Sequence, residues 1–257
     1  GESGCGKSTM ARAIMRLTKS NGGRVIFNGK DLFSLCAGEM RAERVNIQMV
    51  FQKPFESLNP RKKIGELVRE PLDIHTNLSR AEKDKRVLEL LEKVGIQREK
   101  IESYPHQFSG GQRQRIGIAR AIILRPKLVI CDEAVSALDV SIQSQILNLL
   151  MDLQREFGLT YIFISHNLSV VKHMSDRIGV MYLGKLVEVA DKDTLYQNAQ
   201  HPYTQALISA IPVPDPDYVR DAVEISDDFP NPLNPPKGCR FCTRCQAAKP
   251  ICIEREP

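Results

Sequence analysis

The sequence has no apolar run long enough to span a bilayer and no secretory signal, so a cytosolic protein is the expectation. It has no strong excess of one charge: 36 Lys and Arg against 31 Asp and Glu leave +5. That mild basicity permits contact with nucleic acid or anionic lipid but does not argue for it. No internal repeat recurs, and 257 residues suit one large domain or a domain with an appendage. A starting Met is missing too, and no strand precedes the glycine-rich run at residue 1. The expectation is that this chain is cut from a longer one.

What is present begins at once. Gly1-Glu2-Ser3-Gly4-Cys5-Gly6-Lys7-Ser8 fits G-x-x-x-x-G-K-[ST]. The glycines let the backbone turn sharply and aim N–H groups at a phosphate. Lys7 can reach the β- and γ-phosphates, and the Ser8 hydroxyl can hold Mg²⁺. A helix expected over 7–17 adds the positive end of its dipole. Gly1, Ser3, Gly4, Cys5, Gly6, Lys7, Ser8 and Thr9 are therefore the candidate residues for a nucleoside triphosphate.

Further along, 24–27 and the Asn28-Gly29 turn read as a strand pair, and 45–51 as a strand ending at Gln52. The stretch 53–125 looks helical and polar, punctuated by Pro54, Pro60, Pro71 and Pro105, with helices at 80–94 and 112–124. Short apolar runs at 127–131 and 161–165 read as buried parallel strands flanking an amphipathic helix at 142–157. Residues 178–182 and 186–189 pair across Leu183-Gly184. The order implies an α/β fold with a βαβ crossover. From Pro212 a proline-rich linker leads to a cysteine-bearing tail.

A glycine-rich turn before any helix would give the opening pattern by itself. Four further signals decide against that. The strand at 127–131 runs into Asp132-Glu133, placing both carboxylates at the sheet edge where ligands bind in open α/β folds. Asp132 would hold Mg²⁺, and Glu133 would polarise water for in-line attack on the γ-phosphate. His166 follows the strand at 161–165, where a neutral imidazole can bond the γ-phosphate. The remaining histidines, His75, His106, His173 and His201, read as surface or packing residues. Gln52 ends its strand with an amide able to touch Mg²⁺ or the water. Ser109, Gly110, Gly111 and Gln112 open a helix with a good cap and bared amides, a second phosphate-binding N-terminus. One nucleotide does not need two such cradles from one chain, so a dimer sharing them is the economical solution. Most of Arg113, Arg115, Arg120 and Arg125 read as a solvated helix face.

The set GESGCGKST, FQKP, FSGGQRQR, LVICDEAVSALD and ISHNL resembles the ATPase subunit of ABC transporters across nearly all of 1–213. The resemblance implies an α/β P-loop NTPase fold with a mixed, mainly parallel sheet, a helical subdomain at about 54–125 and an extension at 214–257. It implies ATP and Mg²⁺ as ligands. Ser109, Gly110, Gly111 and Gln112 would act in trans on a second ATPase subunit, identical or homologous, and 136–139 would communicate across the dimer. The helical insert would bear on two membrane permease subunits, at the cytoplasmic face of the bacterial inner membrane. FESLNPRKKIGELVREPL and HPYTQALISAIPVPDPD are similar to the oligopeptide/dipeptide importer branch, which implies an extracytoplasmic peptide-binding protein as a further partner. Nickel and glutathione importers are alternatives, as is a soluble ATPase of this type acting on nucleic acid or ribosomes. Such soluble ATPases usually carry two ATPase domains or a long coiled-coil insert, and neither appears in this sequence. The aromatic residue that stacks on adenine in the family lies upstream of residue 1.

Cys239, Cys242, Cys245 and Cys252 leave three readings open: loose thiols, disulfides, and a metal site. The compartment disfavours disulfides. The C-x₂-C-x₂-C run resembles iron–sulfur ligation, as in a 4Fe-4S cluster, more than zinc, whose structural sites usually pair two separate knuckles. The importer branch carries a similar tail, matching at Cys239, Cys245 and Cys252.

Overall fold

Turn chemistry sets many of the element ends. In the computed structural model, which describes residues 1–2, 4–53, 57–212, 230–231 and 234–255, Asn28 (φ 49°) and Gly29 (φ 77°) both take the left-handed region. The chain therefore reverses over two residues and pairs β1 (Ile26–Phe27) with β2 (Lys30–Asp31). Gly95 (φ 81°) and Gly158 (φ 63°) end two helices in the same way. Ser3 and most of the expected proline linker lie outside the described residues.

The polypeptide forms two compact units, 9–164 and 1–8 together with 165–257. In the first, β3 (Ile47–Val50), β4 (Leu128–Asp132) and β5 (Thr160–Ile164) form a parallel sheet in that order. Val50 lies opposite Cys131, and Asp132 opposite Ile164. Parallel strands need a crossover, and α6 (Val140–Phe157) supplies it between β4 and β5. Ala11 and Met15, within and just after α1 (Lys7–Ile14), share a core with Leu32, Met49, Ile130 and Ile164. Met40 joins them from α2 (Ala37–Glu43), a helix that sequence periodicity does not announce.

The helical insert contains α3 (Ile64–His75), α4 (Arg80–Lys93) and α5 (Gly110–Ile122), with α3 packed on both others. Pro71 sits inside α3 rather than punctuating the chain. Burial of Ile64, Leu67, Val68 and Leu72 holds that helix together, and tertiary packing outweighs one missing backbone bond. Polar residues stitch α3 to α4: Arg69 bonds Asp73 and Asp84, and Lys83 bonds Asp73. Hydrogen bonds from Lys83 and Arg69 hold the Asp73 carboxyl below its ordinary range against the opposing effect of burial.

In the second unit, β6 (Arg177–Tyr182) and β7 (Lys185–Asp191) form an antiparallel hairpin with a register shift at Val180/Met181. Its turn uses Leu183 (φ 43°) and Gly184 (φ 78°). Around it lie α7 (Leu168–Met174), α8 (Lys192–Gln197), α9 (Pro202–Ser209) and the short α10 (Ile251–Glu254). The core here is built from Ile178, Val180, Tyr182, Leu195, Tyr203 and Phe241.

Candidate active site

The loop before α1 has the backbone its glycines permit: Gly4 at φ 81° and Gly6 at φ 100°, a region other residues enter only at a cost. Lys7 begins the helix, and its Nζ donates to the carbonyls of Gly1 (2.9 Å) and Glu2 (2.8 Å). The Cys5 carbonyl accepts from Gly184 N–H (2.8 Å), and Cys5 itself is buried. Ser8 is half-buried and Thr9 exposed. Glu2 N–H is taken by the Tyr203 hydroxyl at 2.8 Å, so this amide faces protein.

In the unit 9–164, Asp132 closes β4 and is 2% exposed. Glu133 follows at φ 47°, a strained conformation for a side chain of this size that costs about 1–3 kcal/mol and persists only where neighbours over-determine it. They do so here. Its N–H donates to Ile164 O (3.0 Å), and its own carbonyl accepts from Ser136 N–H (3.1 Å) and Ser136 Oγ (3.0 Å). The Gln52 amide then donates Nε2 to Glu133 Oε2 at 2.7 Å. Strand register explains the meeting: Val50 pairs with Cys131, so the residues just beyond both strands emerge side by side. Cys131 is fully buried and its thiol is pushed up to about 12, which leaves it inert.

At the start of α5, Ser109 Oγ accepts from Gln112 N–H (3.3 Å), and Gln112 Oε1 accepts from Ser109 N–H (3.1 Å). This reciprocal cap fixes the first turn while Ser109 stays exposed. The two glycines differ. A Cβ on Gly111 would lie 2.6 Å from Ile142 Cγ2, whereas on Gly110 the nearest neighbour is Leu138 Cδ2 at 3.6 Å. Gly111 is thus required by packing on α6, a reason beyond bare amides. Phe108, just before the cap, is buried at 3% exposure.

The chain as a whole is similar to known proteins. Residues 1–136 match the ABC transporter family, and residues 187–252 match the C-terminal region of oligopeptide/dipeptide transporters. The chain belongs to the ABC transporter family. Its relatives include the oligopeptide transport ATP-binding protein AppF of Bacillus subtilis (54% identical, covering 100% of this chain and 79% of the relative). Others are OppF of Salmonella typhimurium (56%, 100% and 78%) and the dipeptide transport ATP-binding protein DppF of Escherichia coli (50%, 100% and 77%). Among solved structures, the ATP-binding cassette MJ0796, dimeric and bound to ADP and Pi, is similar at TM-score 0.67 and 32% identity over 75% of this chain and 83% of that one. CbiO1 of Clostridium perfringens is similar at TM-score 0.69 and 28% identity, covering 77% of each. The fold is that of an ABC ATPase cassette, and the enzyme class is an ABC-type ATPase.

Within this cassette the reading of the arginines changes, and that of the histidines does not. The arginines of α5 are not a solvated face. Arg113 is buried and donates to Pro105 O (2.7 Å) and His106 O (3.2 Å). Arg115 bonds Val94 O (2.8 Å), and Arg120 bonds Ser57 O (2.9 Å) and Glu70 (2.9 Å). Arg125, beyond the end of α5, is exposed as expected and lies over the Phe157 ring. His166 is exposed, two residues past the end of β5. His201 is a packing residue: it caps α9 by accepting from Tyr203 N–H and lies against Phe241.

The metal site expected at Cys239, Cys242, Cys245 and Cys252 is not supported. Among the described residues no group of three or more His, Cys, Asp or Glu is arranged to hold a metal ion. Burial, against a backbone hydrogen bond at Phe241, pushes the Cys239 thiol up. The tail is instead held by its own backbone, with Cys239 N–H donating to Cys252 O at 2.8 Å. Cys239 and Cys245 pack against the Tyr182–Tyr203–Phe241 core. Tyr203 and Arg244 bond Glu2 in the loop before α1 from far along the chain, and no local sequence signal marks them.

Proposed function

We propose that this chain is the nucleotide-binding subunit of an importer for oligopeptides or dipeptides, hydrolysing ATP to drive transport. The observation that carries the cargo class is the match of 187–252 to the C-terminal region of oligopeptide/dipeptide transporters, in one chain with the ATPase region. Residues 1–213 serve as the ATPase domain and 214–257 as its extension.

Chemically, Gly1, Ser3, Gly4, Cys5, Gly6, Lys7, Ser8 and Thr9 bind the phosphates through amides, ammonium and hydroxyl. Ser8, Gln52 and Asp132 are oxygen donors, a set that suits Mg²⁺. The bound metal neutralises charge on the β- and γ-phosphates. With its amide nitrogen spent on Glu133, Gln52 offers its amide oxygen. Glu133 takes the proton of the attacking water, and His166 bonds the γ-phosphate. Ser109, Gly110, Gly111 and Gln112 complete the site of a second ATPase subunit. MJ0796, a similar cassette, is a dimer, which supports that arrangement.

No helix among the described residues is long and apolar enough to cross a membrane. Attachment at the cytoplasmic face through two permease subunits, with an extracytoplasmic peptide-binding protein upstream, fits this reading. A cavity of about 430 Å³ in the unit 9–164 supports a docking role for the helical insert. Leu17, Phe51 and Ile74 line it with exposed apolar surface. Arg44 and Gln114 also line it. A segment filling the cavity would bring apolar side chains.

The test is transport-coupled hydrolysis. The full-length subunit, reconstituted with its permeases and binding protein, is expected to hydrolyse ATP faster when peptide is added. Stimulation by nickel or glutathione and not by peptide would reassign the cargo. Stimulation by RNA or DNA in the absence of membranes would favour the soluble rival.

A further inference from the structure

The phosphate loop contains three glycines among its first six residues, and glycine-rich backbone loses more freedom than any other when it is ordered. Phosphate recognition needs those N–H groups held to within about half an ångström. Residues from the C-terminal part of the chain make several contacts that help to hold it.

Arg244 Nη1 donates to both carboxylate oxygens of Glu2, at 3.1 and 3.2 Å, with the Arg244 side chain only 8% exposed. The guanidinium also lies 5.8 Å from the centroid of the Tyr182 ring. Tyr203, fully buried, accepts from Glu2 N–H. Phe241 locks these groups together: it meets Tyr182 edge-on at 5.2 Å and Tyr203 at 5.5 Å. The β6–β7 turn holds the loop at a second point, Gly184 N–H to Cys5 O, and Arg240 Nη1 donates to Leu183 O in that same turn. The tail therefore braces the loop directly at Glu2 and indirectly at Cys5. Glu2 spends its amide and its carboxylate on protein partners, so it serves as the tether while its neighbours serve the ligand.

We propose that Arg244 is a positioning residue for ATP, acting through Glu2 so that the tail sets the affinity of the phosphate loop. This rests on residues 1–9 being the phosphate loop. Removing the guanidinium would leave a partly buried carboxylate without its partner, free to swing the loop.

The experiment uses the full-length subunit assembled with its partners. It measures Kd for MgATP by displacement of a fluorescent ATP analogue, with KM and kcat for hydrolysis. Arg244→Ala is expected to raise Kd and KM about tenfold, the scale of charge-assisted hydrogen bonding, with a smaller change in kcat. Arg244→Lys should recover most of the affinity. In a Glu2→Gln background, which weakens the pair by itself, Arg244→Ala should add little. Unchanged Kd in Arg244→Ala would overturn the proposal, as would a Lys variant no better than Ala, or effects of the two positions that simply multiply. If Arg244→Ala does not fold, the Lys and Gln variants decide alone. Lys7→Ala is the control for the underlying reading and should abolish ATP binding. Normal binding there removes the phosphate loop and this proposal together, whereas loss there with a silent Arg244→Ala removes only this proposal.

Discussion

Two helix N-termini of the chain are proposed to bind phosphate, and they are held in opposite ways. The loop entering α1 is tied to partners 201 and 242 residues away, Tyr203 and Arg244. The start of α5 is tied by Ser109 and Gln112, three residues apart, and by the close seat of Gly111 on Ile142. One cradle depends on the far end of the chain, and the other is set by a local cap and one packing contact. A perturbation of the tail should reach the first and spare the second.

Phe241→Ala gives the largest effect by which to break that contrast. The side chain is 2% exposed and touches both tyrosines behind the loop. Truncation should cost about 3–5 kcal/mol in denaturant unfolding and weaken ATP binding in the molecules that remain folded. A stability loss with nucleotide affinity untouched would sever the tail from the loop. Gly111→Ala probes the other cradle with a smaller effect. Its methyl would meet Ile142 Cγ2 at 2.6 Å, which should cost about 1–3 kcal/mol through overpacking. Hydrolysis by the assembled dimer should fall while ATP binding to the isolated subunit holds, and Ile142→Ala in the same chain should return part of the stability. A harmless Gly111→Ala would show that α5 is not seated as tightly as its contacts imply.

The same contrast explains what the sequence could and could not tell. Devices that act within a few residues were legible: the Asn28-Gly29 turn, the glycines closing α4 and α6, the Ser109 cap, and the strands running into Gln52 and Asp132. Features settled by distant contacts were not. Pro71 looks like a break until the buried face of α3 is seen. The α5 arginines look solvated until Pro105, Val94 and Glu70 arrive as acceptors. The cysteine spacing suggests a metal, but spacing does not fix where the thiols point, and here backbone bonds and the aromatic core hold the tail. The Gln52–Glu133 contact lies between: each residue was legible as a strand end, and only the β3–β4 register shows that they meet.

Glu133, strained in backbone and bonded by Gln52, is proposed as the base for ATP hydrolysis. The most direct test is Glu133→Gln in the full-length subunit, with MgATP binding and steady-state phosphate release measured on one preparation. The glutamine keeps the size and can still accept from Gln52, so binding should be retained and turnover lost. Phosphate release at the wild-type rate would contradict the account.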